Sequence, residues 1–158
     1  MSNDCQILLD EIKRTECVLN GLSNRYRQFL ENDLVQLGQT DITAAFAAQI
    51  LESYYTALET LFLKISQFFE NTLVPDRWHG DLLDKMALHI TSVRERVIEE
   101  DTKDLLIELL RFRHFTRYYY ELDYDWHKLD YLLGVYERAR PLLERDLAVF
   151  KKFLAHLM

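Results

Sequence analysis

Residues 40 to 75 read TDITAAFAAQILESYYTALETLFLKISQFFENTLVP. Within them Ile42, Phe46, Ile50, Tyr54, Ala57, Leu61, Ile65 and Phe68 recur at three- and four-residue steps, the spacing that lines one face of an α-helix. Thr40 or Asp41 stands where an N-cap belongs, and Val74-Pro75 marks the far end, because proline cannot continue the ladder of backbone hydrogen bonds. Upstream, Leu8, Ile12, Leu19, Leu22, Tyr26 and Phe29 keep the same period from about Asp4 to Leu37, and Gly38 supplies a stop. Two long helices joined by so short a loop form an antiparallel hairpin.

The rest of the chain continues in the same manner. Asp76 is placed to cap a shorter third helix carrying Trp78, Leu82, Leu83, Met86 and Ile90. Thr91 to Asp101 is charged and less periodic, which predicts a loop or a frayed helix end. A fourth helix is expected from about Thr102 to Tyr120, with Leu105, Leu106, Leu109 and Leu110 facing inward. Asp123-Tyr124-Asp125 makes a turn and cap. The last helix carries Trp126, Leu129, Leu133, Tyr136, Leu143, Leu147, Phe150 and Leu154, with a kink or restart expected at Pro141. The expectation is an all-α, up-and-down helical bundle of four to five helices, one domain over residues 1–158.

Composition agrees. The 158 residues are 49% hydrophobic, enough for one substantial core, and hold only four glycines and two prolines, too few for the turns of a sandwich or barrel. A formal charge of -7 argues against general coating of nucleic acid, which needs a broad basic face, but leaves room for a local site. Cys5 and Cys17 fall on one predicted helix, roughly 18 Å apart by helical rise, too far to bridge. Reduced thiols packed as small hydrophobes in a cytoplasmic protein are expected. No run reaches the length of a membrane span, and Met-Ser-Asn-Asp lacks the basic and apolar regions of a signal peptide.

Known site chemistries are mostly missing from the pattern. The histidines, His79, His89, His114, His127 and His156, include no pair at helical ligand spacing, and Asp123 and Asp125 beside His127 are explained as caps. Neither cysteine has a histidine placed to activate it, and there is no glycine-rich phosphate loop. No metal and no cofactor are expected. Tyr26, the Tyr54-Tyr55 and Phe68-Phe69 pairs read as bundle core or core edge, and Glu99-Glu100-Asp101 as a solvated segment before a helix.

Residues 111 to 120, RFRHFTRYYY, stand apart. Arg113, Arg117 and Tyr120 fall at i, i+4 and i+7, so one helical face presents two guanidinium groups and a phenol. His114 and Tyr118 lie one turn apart on an adjacent face. Arginine grips phosphate in a bidentate manner, and a neighbouring imidazole or phenol can move a proton, a combination suited to holding or cleaving a phosphodiester. The competing reading is an ordinary ion-pair network in which Arg111, Arg113 and Arg117 meet Glu108, Glu121 and other carboxylates.

The run Arg113 to Tyr120 resembles the signature region of HEPN-domain proteins, in particular the HepT-like ribonuclease toxins, whose motif is an arginine, four to six arbitrary residues, a histidine, and often a tyrosine two residues later. Trp78-His79-Gly80-Asp81-Leu82-Leu83-Asp84-Lys85-Met86 and Leu109 to His114 resemble the same subgroup, and the helix layout is similar over about residues 40 to 155. By position Arg113 matches the motif arginine and Tyr120 the trailing tyrosine, while Tyr118 stands where the family has histidine.

The resemblance implies a metal-free endoribonuclease toxin in which the histidine helps activate the ribose 2′-hydroxyl. Carried onto this chain, Arg113 and Arg117 would meet phosphate charge, Tyr118 or His114 would transfer the proton, and Arg111 would add to RNA binding. It also implies a homodimer whose two motif segments line one cleft, and a nucleotidyltransferase antitoxin that adenylylates the motif tyrosine, here Tyr120. Because Tyr118 replaces the histidine, a catalytically degenerate bundle serving as an RNA-binding or protein-interaction module is the alternative.

Overall fold

The protein, seen in a computed structural model, is described over residues 2–70, 78–118 and 124–158, with the side chains of 78–80, 117 and 118 outside the description. The first rod is helical from end to end: α1 spans Ser2–Gln28, a π-helical segment Phe29–Asp33, and α2 Leu34–Leu37. It stops where expected. Gly38 has φ +71°, a backbone conformation that costs glycine little, and its amide closes the last turn on Leu34 O at 2.9 Å. Helix α3, Asp41–Phe69, starts on a reciprocal cap: the Thr43 amide donates to Thr40 Oγ1 while the Thr40 amide donates to Thr43 Oγ1.

Helices α4 (Trp78–Met86), α5 (Glu100–Tyr118) and α6 (Trp126–His156) complete the order. Among the described residues there is no strand, only an isolated bridge between Ile90 and Arg94. Side-chain contacts fix the directions. Lys64 meets Glu11 at 2.8 Å while Phe46 packs on Phe29, and Lys151 meets Glu16 at 2.9 Å while Glu137 accepts from Tyr26, so the first rod runs antiparallel to both α3 and α6. Tyr54 packs on Tyr136 and Phe69 on Phe150, so α3 and α6 run parallel. Thr102 meets Asp146 and Phe112 meets Tyr124, so α5 returns antiparallel to α6. This is an up-and-down, all-α bundle.

Several details depart from the sequence-based expectation, each for a packing reason. Ile42 is 76% exposed and Phe46 lies at the surface edge, whereas Ala44, Ala47, Ala48, Leu51, Tyr55, Leu58 and Phe62 are buried. Helix α3 is enclosed by α1, α4, α5 and α6 together, so its core face is broad, and small alanines admit close neighbours near its start. Helix α4 ends at Met86, short of Ile90, because Met86 O accepts from the amides of Val97 and Ile98 as the chain folds back. Cys5 is buried as foreseen; Cys17 is exposed and is not a packing residue. Pro141 brings no restart, and α6 runs through it. The expected helix end at Val74-Pro75, the Asp76 cap and Asp123 lie outside the described residues.

The loop before α5 holds the largest surprise. Arg94, within the charged stretch expected to be a loop or frayed helix end, is 2% exposed. Its Nε and Nη2 both donate to Glu70 Oε1, Nη1 donates to Leu88 O and Glu95 O, and Nη2 also donates to Lys85 O. One guanidinium thus ties the end of α3 to the end of α4 and to its own loop. The acidic run beyond it starts α5: buried Asp146 accepts from the Glu99 amide and the Thr102 hydroxyl, and Arg145 joins Asp146 to Asp101.

Candidate functional site

Helix α5 places the arginine-rich run at the bundle end where α6 begins. Leu106, Leu109, Leu110 and Phe112 face the core, which turns the residues between them outward or toward a neighbouring helix. The two described arginines diverge, being two residues and therefore about 200° apart on the helix.

Arg113 reaches α3. Its Nε donates to Thr56 Oγ1 at 2.9 Å, and Nη1 lies 3.1 Å from Glu59 Oε1. The Arg113 side chain is only 13% exposed and the Glu59 side chain is more enclosed still. The guanidinium charge is therefore countered within the chain. The ion-pair reading of the arginines therefore holds for Arg113, with a carboxylate of α3 as the partner in place of Glu108 or Glu121. Tyr55, one turn before Glu59, is pushed well above the ordinary phenol value, first by burial and then by the Glu59 carboxylate, while Arg113 pulls the other way.

Arg111 points the opposite way. Its side chain is 73% exposed, with Glu108 Oε1 at 3.8 Å, the helix-neighbour contact expected of it. It borders a cavity of about 420 Å³ between α5 and the start of α6, lined by Phe112, Phe115, Tyr124, Lys128 and Leu129 together with Glu108 and Asp125. Asp125 caps α6 by accepting from the His127 amide at 2.9 Å, the role assigned from sequence.

His114 lies on the exposed side of α5, and Thr116 donates to Arg113 O at 2.9 Å. Arg117 and Tyr118 occupy the last turn of α5, but their side chains are outside the description, and Tyr120 and Glu121 are outside the described residues altogether. The structure thus separates Arg111 from Arg113.

A family model described as HepT-like protein matches residues 46–154, more than two thirds of the chain. The chain is a member of the HepT-like HEPN family. The match takes in most of α3 and all of α4 and α5, and it ends near the close of α6, so Arg111, Arg113, His114, Arg117, Tyr118 and Tyr120 all fall inside it. No curated protein and no solved structure matches the chain. Among the described residues no helix is long and apolar enough to cross a membrane, and no group of three His, Cys, Asp or Glu side chains could hold a metal ion.

Within this HepT-like chain, sequence reasoning missed Thr56, Glu59, Lys128, Phe115 and Tyr124. For Glu59 a signal existed. It is a carboxylate between Leu58 and Leu61 on the enclosed side of an apolar helix, and a buried acid at such a position calls for a cation from elsewhere. For the cavity residues no helical period points to the site, because they come from α5, from α6 and from Tyr124 and Asp125 just before α6.

Proposed function

We propose that this HepT-like chain forms a single HEPN domain over its whole length and is a toxin module that acts on single-stranded RNA. It works as a homodimer and is silenced by a nucleotidyltransferase antitoxin with Tyr120 as acceptor. The supporting observation is Arg113, at the motif position, held by Thr56 and Glu59 in one fixed orientation. A fixed guanidinium is ready to meet phosphate without losing side-chain freedom on binding. In the cleavage reaction the ribose 2′-oxygen attacks phosphorus while neutral His114 or the Tyr118 phenolate takes its proton; the bond from phosphorus to the 5′-oxygen of the next nucleotide breaks, that oxygen takes a proton from water, and a 2′,3′-cyclic phosphate is left.

A second reading has its own support. Glu59 already offsets the charge of Arg113, and a phenol with an ordinary pKa near 10 is a weak base at neutral pH. Both favour binding of RNA, or of a protein partner, without cleavage. One experiment separates the two: incubate wild type, Arg113→Ala and Tyr118→His with a labelled single-stranded RNA, following products and binding together. For a nuclease, Arg113→Ala lowers the rate at least 100-fold and Tyr118→His raises it. Binding without product in wild type and Tyr118→His alike selects the non-catalytic module. Absence of both binding and product rejects an RNA function.

A further inference from the structure

We propose that the cavity between α5 and α6 is a subsite for one nucleobase of a single-stranded RNA, on the face of α5 turned away from Arg113. The inference rests on the RNA-directed reading above and adds where the strand goes. The cavity is about 420 Å³, within the roughly 300–1,000 Å³ common for small-molecule sites.

Among the described residues three aromatic rings line it. Phe112 forms the inner wall, with Phe115 at 6.4 Å and Tyr124 at 6.3 Å between ring centroids. The Phe112 and Phe115 planes differ by 28°, so Phe115, which is 50% exposed, continues a nearly parallel stack toward solvent. Leu129 makes the floor apolar. Aromatic faces with cations beside them are how single strands are held: bases stack, and the backbone runs past the positive groups.

Here the cations are Arg111 and Lys128, one from each helix, on the cavity border. Among the described residues Arg111 has Glu108 at a long 3.8 Å, and the Lys128 ammonium lies 5.5 Å from the Tyr131 ring centre. The carboxylates of Glu108 and Asp125 also line the cavity. They disfavour a second phosphate inside it, and a carboxylate there can accept from an exocyclic base amine. The occupant this combination fits is a base within and its phosphate at the rim. A bare anion does not fit, because the walls are apolar and acids share the border.

The test uses fluorescence anisotropy on the full chain with two labelled twelve-nucleotide strands, one a mixed-sequence RNA and the other an abasic ribose-phosphate of equal length. Phe115→Ala should weaken binding to the base-bearing strand about 10-fold, the size of one base–aromatic stack, and leave the abasic strand unchanged. Arg111→Ala should weaken both strands and flatten their salt dependence. Phe115→Tyr keeps a ring and should bind as wild type does, while retained abasic binding by Phe115→Ala separates a lost stack from a misfolded helix, and equal weakening of both strands would overturn the subsite. If Phe115→Ala binds the RNA as tightly as wild type, the subsite is wrong while the RNA reading stands. If wild type binds neither strand, both fall.

Discussion

Arg113 and Glu59 illustrate how a pair of side chains can serve stability and function with opposite demands. Enclosed together, each is costly to leave alone: removing one partner of such a pair typically destabilises by about 3–5 kcal/mol. Glu59→Ala is expected to lie in that range in urea denaturation, and the double variant Glu59→Leu with Arg113→Met is expected to recover most of it. Glu59→Gln keeps the volume and a hydrogen-bonding side chain but releases the guanidinium charge. On the proposed function it should bind RNA more tightly than wild type, with a steeper dependence on salt. Unchanged affinity in Glu59→Gln would show that Arg113 contributes to folding and not to the ligand. Arginine composition and spacing disclosed the cluster, but not that one member is turned inward, because that depends on which α3 residue meets it.

At the scale of elements, periodicity and caps were enough to place the helices. Leu8 and Ile12, Tyr54 and Ile65, Leu129 and Leu147 are buried where the three-and-four spacing put them, and Gly38, Thr40 and Asp125 punctuate the chain as their chemistry requires. The period failed at Ile42 and Phe46, since an amphipathic stripe presumes one partner surface and α3 has several. It also failed in the loop after α4. No local pattern announces that Arg94 will be buried, because its acceptors are Glu70 and three backbone carbonyls brought together by tertiary structure. Arg94→Met should therefore cost several kcal/mol, about 3–5 by analogy with other buried pairs, since the enclosed Glu70 carboxylate and the carbonyls lose their donor. Arg94→Lys should rescue little, as a single ammonium cannot reproduce a planar fork reaching in four directions. Equilibrium unfolding of both variants checks this; a loss below about 1 kcal/mol would mean that the loop reorganises around the gap.

The molecule as a whole is bound by a phenol-rich centre. Tyr26 and Tyr54 both meet the Tyr136 ring edge-on, joining α1, α3 and α6, although the family match begins only at residue 46. Burial is the first cause that lifts all three phenols, and Tyr55, above the ordinary 10.0; for Tyr26 the hydrogen bond to Glu137 adds to it. The sign follows. In the unfolded chain these groups release protons at about 10.0, in the folded chain only above it, so their contribution is complete below that pH and declines as pH rises through it. Thermal melts across the alkaline range should show a steep fall there, shallower in Tyr26→Phe. A flat profile past the ordinary phenol value would contradict the enclosed centre.

The two thiols differ in a way that is useful in the laboratory. Cys5 is enclosed and Cys17 open on α1, so a maleimide spin label should attach to the native sequence at one address. Electron–electron dipolar spectroscopy on that conjugate would report the separation of paired copies, or the absence of any pairing, without a single engineered residue.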